Sequence, residues 1–536
     1  MPAKNRAVAG RRVATVQNQH PLDLVDALLA QYQPFGDSDY IHTQLQLRYQ
    51  GRLARLASSL PLAGELSRAL DRAAPYTRYR VVGDPAVRYA VQQALAQVVN
   101  QTPDSLPLAE CEDVFRETIR RLKEGKRGGP LEAGLGNPRR LGRDPSWGWI
   151  WSEEHSNDAC GRTFRREVHD YFQGEPLCTP GAVDLAKLAK GAELLGILLP
   201  SSARSAFSHA HVVVLVPHVG RWMRKASASE FWVGGAIFLN REMLDNPWWV
   251  AEHLFHESLH QKLYDFRHTH SLLAQDLSPE SSATQAAVRS IWNLETADRA
   301  NYWDTFRAVA AFHVYVHLAL LCLQSERRGA DLTKRFGTPT GSFPAMVNRR
   351  EAIERAHYLG RAIQESCWQE LGPAGQLLID WLISILNALD PSPPPPKSVY
   401  LHLLLHRYLV EATLLADRKL SPEHAAQLLK IVDDEVETVR GVLGAVHAEE
   451  PDLNRLGEAA TRRADEGAEA ALLRFRGLVA KTLLRHSPDG YGLRGPTTAG
   501  SMALDTRIQA MVERSSLQVT PLLDARALPA LLDARA

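Results

Sequence analysis

Asp245-Asn246-Pro247-Trp248-Trp249-Val250-Ala251-Glu252-His253-Leu254-Phe255-His256-Glu257-Ser258-Leu259-His260 is the stretch on which the fold turns. Asp245 and Asn246 are capping residues, and Pro247 suits a first helical turn. From there Trp248, Trp249, Leu254, Phe255, Leu259, Leu263 and Phe266 recur at roughly helical spacing and predict a buried face. His256 and His260 stand four apart on one side of that helix, so both imidazoles can reach a single metal ion. Glu257 then lies next to whatever the ion activates. Upstream, residues 229–239 read as a strand, after an earlier one at 212–216. A strand just before an H-E-x-x-H helix is the arrangement in which an edge strand borders a metal cleft.

Working outward, the chain has the composition of an ordinary soluble protein. Its 536 residues exceed one typical core, with 45% apolar and 23% charged residues. A formal net charge of +1 gives no basis for global attraction to nucleic acid or membrane. Cys111, Cys160, Cys178, Cys322 and Cys367 are odd in number and form no C-x-x-C pair, as expected for free thiols in a reducing compartment. No N-terminal basic-then-apolar segment suggests secretion, and the apolar run 309–323 is interrupted by His313 and His317 and too short for a convincing membrane span. The expectation is a cytoplasmic enzyme without nucleic-acid or membrane partners.

Composition shifts divide the chain into an N-terminal helical region (1–122), a Gly/Arg/Pro-rich linker (123–146) and a central metal-binding region (147–390). A Pro-rich connector (391–397), a C-terminal helical region (398–487), a second linker (488–501) and a tail (502–536) follow. Trp147, Trp149 and Trp151 are expected to pack in a core. The whole reads as mainly α, with a small α/β, zincin-like metal core.

Two histidines do not specify a metal. A zinc peptidase would take a carboxylate from further along the chain as third ligand, and Glu295 is the candidate. The competing source is the apolar helix carrying His313 and His317, of which His313 is favoured. The residues 232–237 and 256–263, with Arg307 and His313 downstream, resemble the H-E-x-x-H peptide β-hydroxylases that act on ribosomally made precursor peptides. That resemblance implies an Fe(II), α-ketoglutarate and O2 enzyme, with zinc as the alternative metal. Three protein ligands on one face would leave three positions for α-ketoglutarate and dioxygen. Arg307, with Arg299 in reserve, would hold the distal carboxylate of α-ketoglutarate. Glu257 would lose its obligatory role as general base.

The tail suggests the substrate. Gly500-Ser501-Met502 looks like a cloning junction, and 502–536 has the size of a precursor peptide fused in cis. Leu523-Asp524-Ala525-Arg526-Ala527 recurs as Leu532-Asp533-Ala534-Arg535-Ala536, preceded by a leader-like stretch at 508–519. Asp524 and Asp533 are the expected targets of Cβ hydroxylation. Arg526, Arg535 and Pro529 are alternatives.

Overall fold

The computed structural model describes residues 20–524 apart from 102–105, 134–138, 143–146, 154–156, 173, 175, 276–285, 296–298, 341–344, 347, 417–419, 446–461, 464 and 486–498. The protein is mostly helical around a small mixed sheet. The sheet is built from β1 (Trp149–Ile150), β2 (Val212–Val216), β3 (Ser227–Ser229) and β4 (Ala236–Asn240), in the order β1-β2-β4-β3. β1, β2 and β4 are parallel, and β3 is an antiparallel edge strand with Ala228 opposite Phe238. Residues alternate between the two faces: Val212, Val214, Val216, Ala236 and Phe238 enter one core, while Val213, Leu215, Ile237 and Leu239 enter the other. Burial on both sides explains why β2 reads as an unbroken apolar run.

Six N-terminal helices follow one another: α1 (Pro21–Gln31), α2 (Ser38–Ala57), α3 (Pro61–Arg72), α4 (Pro75–Val82), α5 (Pro85–Leu95) and α6 (Leu108–Lys123). They are not a separate unit. Leu45, Leu66, Val87 and Phe115 share a core with Val214 and Phe238 of the sheet. The stretch read as a Gly/Arg/Pro-rich linker also contributes to the fold. It holds α7 (Pro130–Ala133), where Leu131 and Glu132 are buried, the Leu131 amide donates to Asp84 at 2.8 Å, and Glu132 pairs with Arg80 and Arg140. Composition marked this stretch as polar, but its ion pairs close inside the fold.

α8 (Ala159–Phe172) joins the first core, while α9 (Ala182–Leu198), α10 (Pro200–Phe207) and α11 (Pro247–Thr269) cover the other face of the sheet. Trp149 and Trp151 are buried and Trp147 packs edge-on against Phe207, as core tryptophans do. The short antiparallel ladder β5 (Val288–Arg289) and β6 (Tyr302–Trp303) leads into α12 (Thr305–Phe336). α12 is long and apolar enough to cross a membrane, yet 78% of its apolar window is buried inside the protein, the behaviour of a core helix. α13 (Arg349–Ala362) and α14 (Pro373–Leu389) pack against it. After the Pro-rich break come α15 (Pro396–Ala416), α16 (Pro422–Ala445), α17 (Ala468–Arg485) and α18 (Ala499–Asp524).

Two further expectations change. The single strand over 229–239 is a hairpin: β3 ends at Ser229, a turn occupies 230–235, and β4 begins at Ala236. Gly235 has φ +90°, a conformation open to glycine, which lets the chain reverse there. The linker expected to end at 501 yields to α18, which already includes Gly500-Ser501-Met502. Asp524 closes α18. Asp533, Arg526, Arg535 and Pro529 lie outside the described residues.

Candidate metal centre

α11 forms where the sequence signals a start. The Asn246 side chain caps it by accepting from the Trp248 amide, and Pro247 occupies the first turn. Between Trp248 and Phe266 every residue is buried except His256 and His260. Those two imidazoles therefore mark the single side of the helix that is not sealed by packing.

Their Nε2 atoms stand 3.1 Å apart. Two nitrogens each about 2.1 Å from one ion, at tetrahedral or octahedral angles, would be separated by about 3.0–3.4 Å, so the spacing fits a shared metal. Burial pushes His256 down to about 4. Burial, then the neighbouring His256 and the Arg307 guanidinium, hold His260 well below its ordinary value. Both rings are thus neutral at pH 7, the state that ligates metals.

Glu257 is the third member of the cluster, with one ligand atom of each of the three residues within 4.8 Å of the others. Its carboxylate is held from the edge strand: Ser227 Oγ donates to one oxygen at 2.5 Å and Ser229 Oγ to the other at 2.6 Å. Burial raises its pKa, and the two hydroxyls partly offset that.

The other expected residues divide. His313 is buried in α12, and its Nδ1 has no hydrogen-bond partner among the described residues. Burial drives it well below its normal value, with His317, Lys262 and His260 adding to the effect. It is not one of the three clustered ligands. His317 donates Nδ1–H to the His313 carbonyl at 2.7 Å, a bond that fixes its ring. Glu295 is committed elsewhere. It accepts from Arg289 at 2.8 Å and faces Arg407 at 3.3 Å, and the Arg289 pairing outweighs burial to keep it below its usual range. Arg307, in the first turn of α12, is close enough to depress His260, while its guanidinium lies over Trp303. Arg299 is exposed and stacks on Tyr302. Phe231, Tyr264 and Phe306 form an aromatic wall beside His260.

The opposite side of α11 carries polar residues that the motif reading passed over. Gln261 accepts from the Gly235 amide at 2.7 Å and donates to the Ala236 carbonyl at 2.9 Å, pinning the β3–β4 turn. Asp265 pairs with Arg88 at 2.8 Å and with His209 Nδ1 at 2.7 Å, and His209 Nε2 meets Ser38 Oγ at 3.0 Å. Burial opposes its charge, but Arg88 and His209 hold the Asp265 carboxyl well below the usual range. The Asp-His-Ser order matches a hydrolase relay. Ser38, however, also contacts the Ser205 hydroxyl at 2.7 Å and its carbonyl at 3.0 Å, which ties it into the core. The spacing of Ser258, Gln261, Lys262 and Asp265 was the available signal, a polar stripe on an otherwise apolar helix. No protein-family model matches this chain, and neither does any curated protein.

Proposed function

We propose that the protein hydroxylates a peptide at Cβ of an aspartate, using Fe(II), α-ketoglutarate and O2, from a zincin-like core formed by β3 and α11. The observation that carries this reading is the pair of neutral imidazoles converging at 3.1 Å on the unsealed side of α11, with Arg307 alongside. His256 and His260 hold the metal, and Glu257 or His313 supplies the third ligand. When bound, iron with α-ketoglutarate and dioxygen supplies the oxidant that turns a C–H bond into C–OH, as α-ketoglutarate becomes succinate and carbon dioxide. Arg307 offers a planar fork for the distal carboxylate of α-ketoglutarate. Phe231, Tyr264 and Phe306 would line that side with aromatic rings. The substrate on this reading is the tail 502–536, tethered in cis at high effective concentration.

A zinc peptidase is the second reading, favoured by the antiparallel edge strand beside the motif helix. One observation weighs against it: Glu295, the carboxylate it would need as third ligand, is spent on Arg289 and Arg407. Anaerobic loading with Fe(II) and α-ketoglutarate, followed by air, is expected to add the mass of one oxygen atom per target to the 502–536 fragment, with matching succinate. Unchanged mass and no succinate would sink the proposal. Zinc-dependent cleavage of the tail, lost in Glu257→Gln, would establish the peptidase.

A further inference from the structure

The tail does not hang free of the enzyme. α18 lies against α15 and α16, and α17 packs against the same two helices. Ile508, Met511, Val512, Ser515, Ser516, Val519 and Leu523 recur three and four apart and are buried, whereas Leu517 on the opposite face is 61% exposed. The floor beneath this face is apolar, with Leu404, Leu428, Val432 and Leu472 in the same core, around one buried charged patch. Arg476, fully buried on α17, donates to Glu411 at 2.9 Å and to Glu435 at 3.0 Å, and Tyr408 donates to Glu435 at 2.5 Å. Into this floor the tail inserts two adjacent hydroxyls. Ser515 bonds Glu435 and Arg476, and Ser516 donates to Glu411 at 2.9 Å. At the rim, Glu513 accepts from Tyr400 at 2.8 Å and faces Arg289 at 3.4 Å. Arg289 belongs to β5, which pairs with β6, the strand that leads into Arg307.

We infer that α15, α16 and α17 form a recognition groove for an amphipathic peptide helix bearing a Ser-Ser pair, and that residues 508–523 are its exchangeable occupant. The inference rests on the reading of the tail as substrate. A groove with a wholly apolar floor would expose a costly surface when vacated. Here an arginine between two glutamates interrupts the apolar floor, and that patch regains water when vacated, which lowers the cost of releasing the occupant. This is helix-in-groove recognition, with anchors at 508, 511/512, 515/516, 519 and 523. Docking there leaves Asp524 as the last residue of the anchored helix.

The test uses the full chain with a site-specific protease sequence inserted within 488–498. After cleavage the tail fragment is expected to co-elute with the body at micromolar concentration and to exchange with fluorescent 502–536 peptide, followed by anisotropy without metal or α-ketoglutarate. Ser515→Glu in the peptide sets a third carboxylate against Glu411 and Glu435 and is expected to weaken binding at least about thirtyfold. Leu517→Ala is expected to bind unchanged. A body that loses helicity or aggregates once the fragment is displaced would overturn the inference, because α18 would then be an integral part of the fold. Failure to rebind, or Ser515→Glu binding normally, would overturn it too. Binding without oxidation after iron loading would instead count against the chemistry and leave the groove standing.

Discussion

At the scale of single residues, the proposed centre separates side chains that could hold a metal from side chains that lie nearby. His256→Ala and His260→Ala are each expected to abolish stoichiometric iron binding, since either change leaves one imidazole of the converging pair. His317→Ala is expected to retain iron, because His317 lies outside the clustered ligands and its Nδ1–H serves the His313 carbonyl. Glu295→Gln is likewise expected to retain it, at a cost in stability, because its charge serves Arg289 and Arg407. His313→Ala and Glu257→Gln then decide the third ligand: the one that loses metal holds that position. Metal analysis of the purified variants, alongside circular dichroism to confirm folding, checks all of these. The paired histidines were legible in the sequence because a helical period alone puts them on one face. The serines that grip Glu257 were not, because they lie 28 and 30 residues upstream and meet it only once β3 folds back along α11.

At the scale of elements, α11 is held by both of its sides, and the polar one is the more vulnerable. Asp265 is buried between Arg88 of α5 and His209, just after α10, so one carboxylate ties three parts of the chain together. Removing one partner of a buried pair strands the other charge at a cost of about 3–5 kcal/mol. Asp265→Asn is therefore expected to lower the denaturant midpoint sharply while the folded fraction keeps its iron, as Asp265 is not one of the clustered ligands. Loss of iron with an unchanged midpoint would place Asp265 in the metal centre instead. The start of α11, the strand β2 and the helix α12 follow from caps, apolar runs and helical spacing, and they were readable in advance. The split of 229–239 into β3 and β4 was not. Strand composition continues across the turn, and only the left-handed backbone of Gly235 and the Gln261 contact mark it. The linker over 123–146 misled for the opposite reason. Its charges look solvated in sequence, but Glu132 finds Arg80 and Arg140 in the folded chain.

At the scale of the whole molecule, the concentration of imidazoles in the interior makes the folded state sensitive to acid. Burial holds His256 at about 4 and His268 and His317 at about 3, and pushes His42, His209, His211, His260 and His313 below their ordinary value. In the unfolded chain these rings take up protons near pH 6.5. Between about pH 6.5 and 4 the unfolded state thus binds more protons from this group, so stability falls as the pH drops. Carboxyls act in the opposite sense. Burial raises Asp84 to about 7 and also raises Glu167 and Glu257, so the folded state holds protons there that the unfolded state releases. The imidazoles outnumber these carboxyls over the same window, so the net uptake on unfolding stays positive. Each net proton is worth about 1.4 kcal/mol per pH unit. The metal-free protein is expected to show a urea midpoint that falls steadily from pH 7 to pH 5. Bound iron should widen the gap, because it favours the folded state with neutral His256 and His260 and its ligands compete with protons as the pH drops. A midpoint that stays level or rises on acidification would show that these histidines are solvated in the folded chain, and with that the neutral pair at the centre of the proposed site would fall.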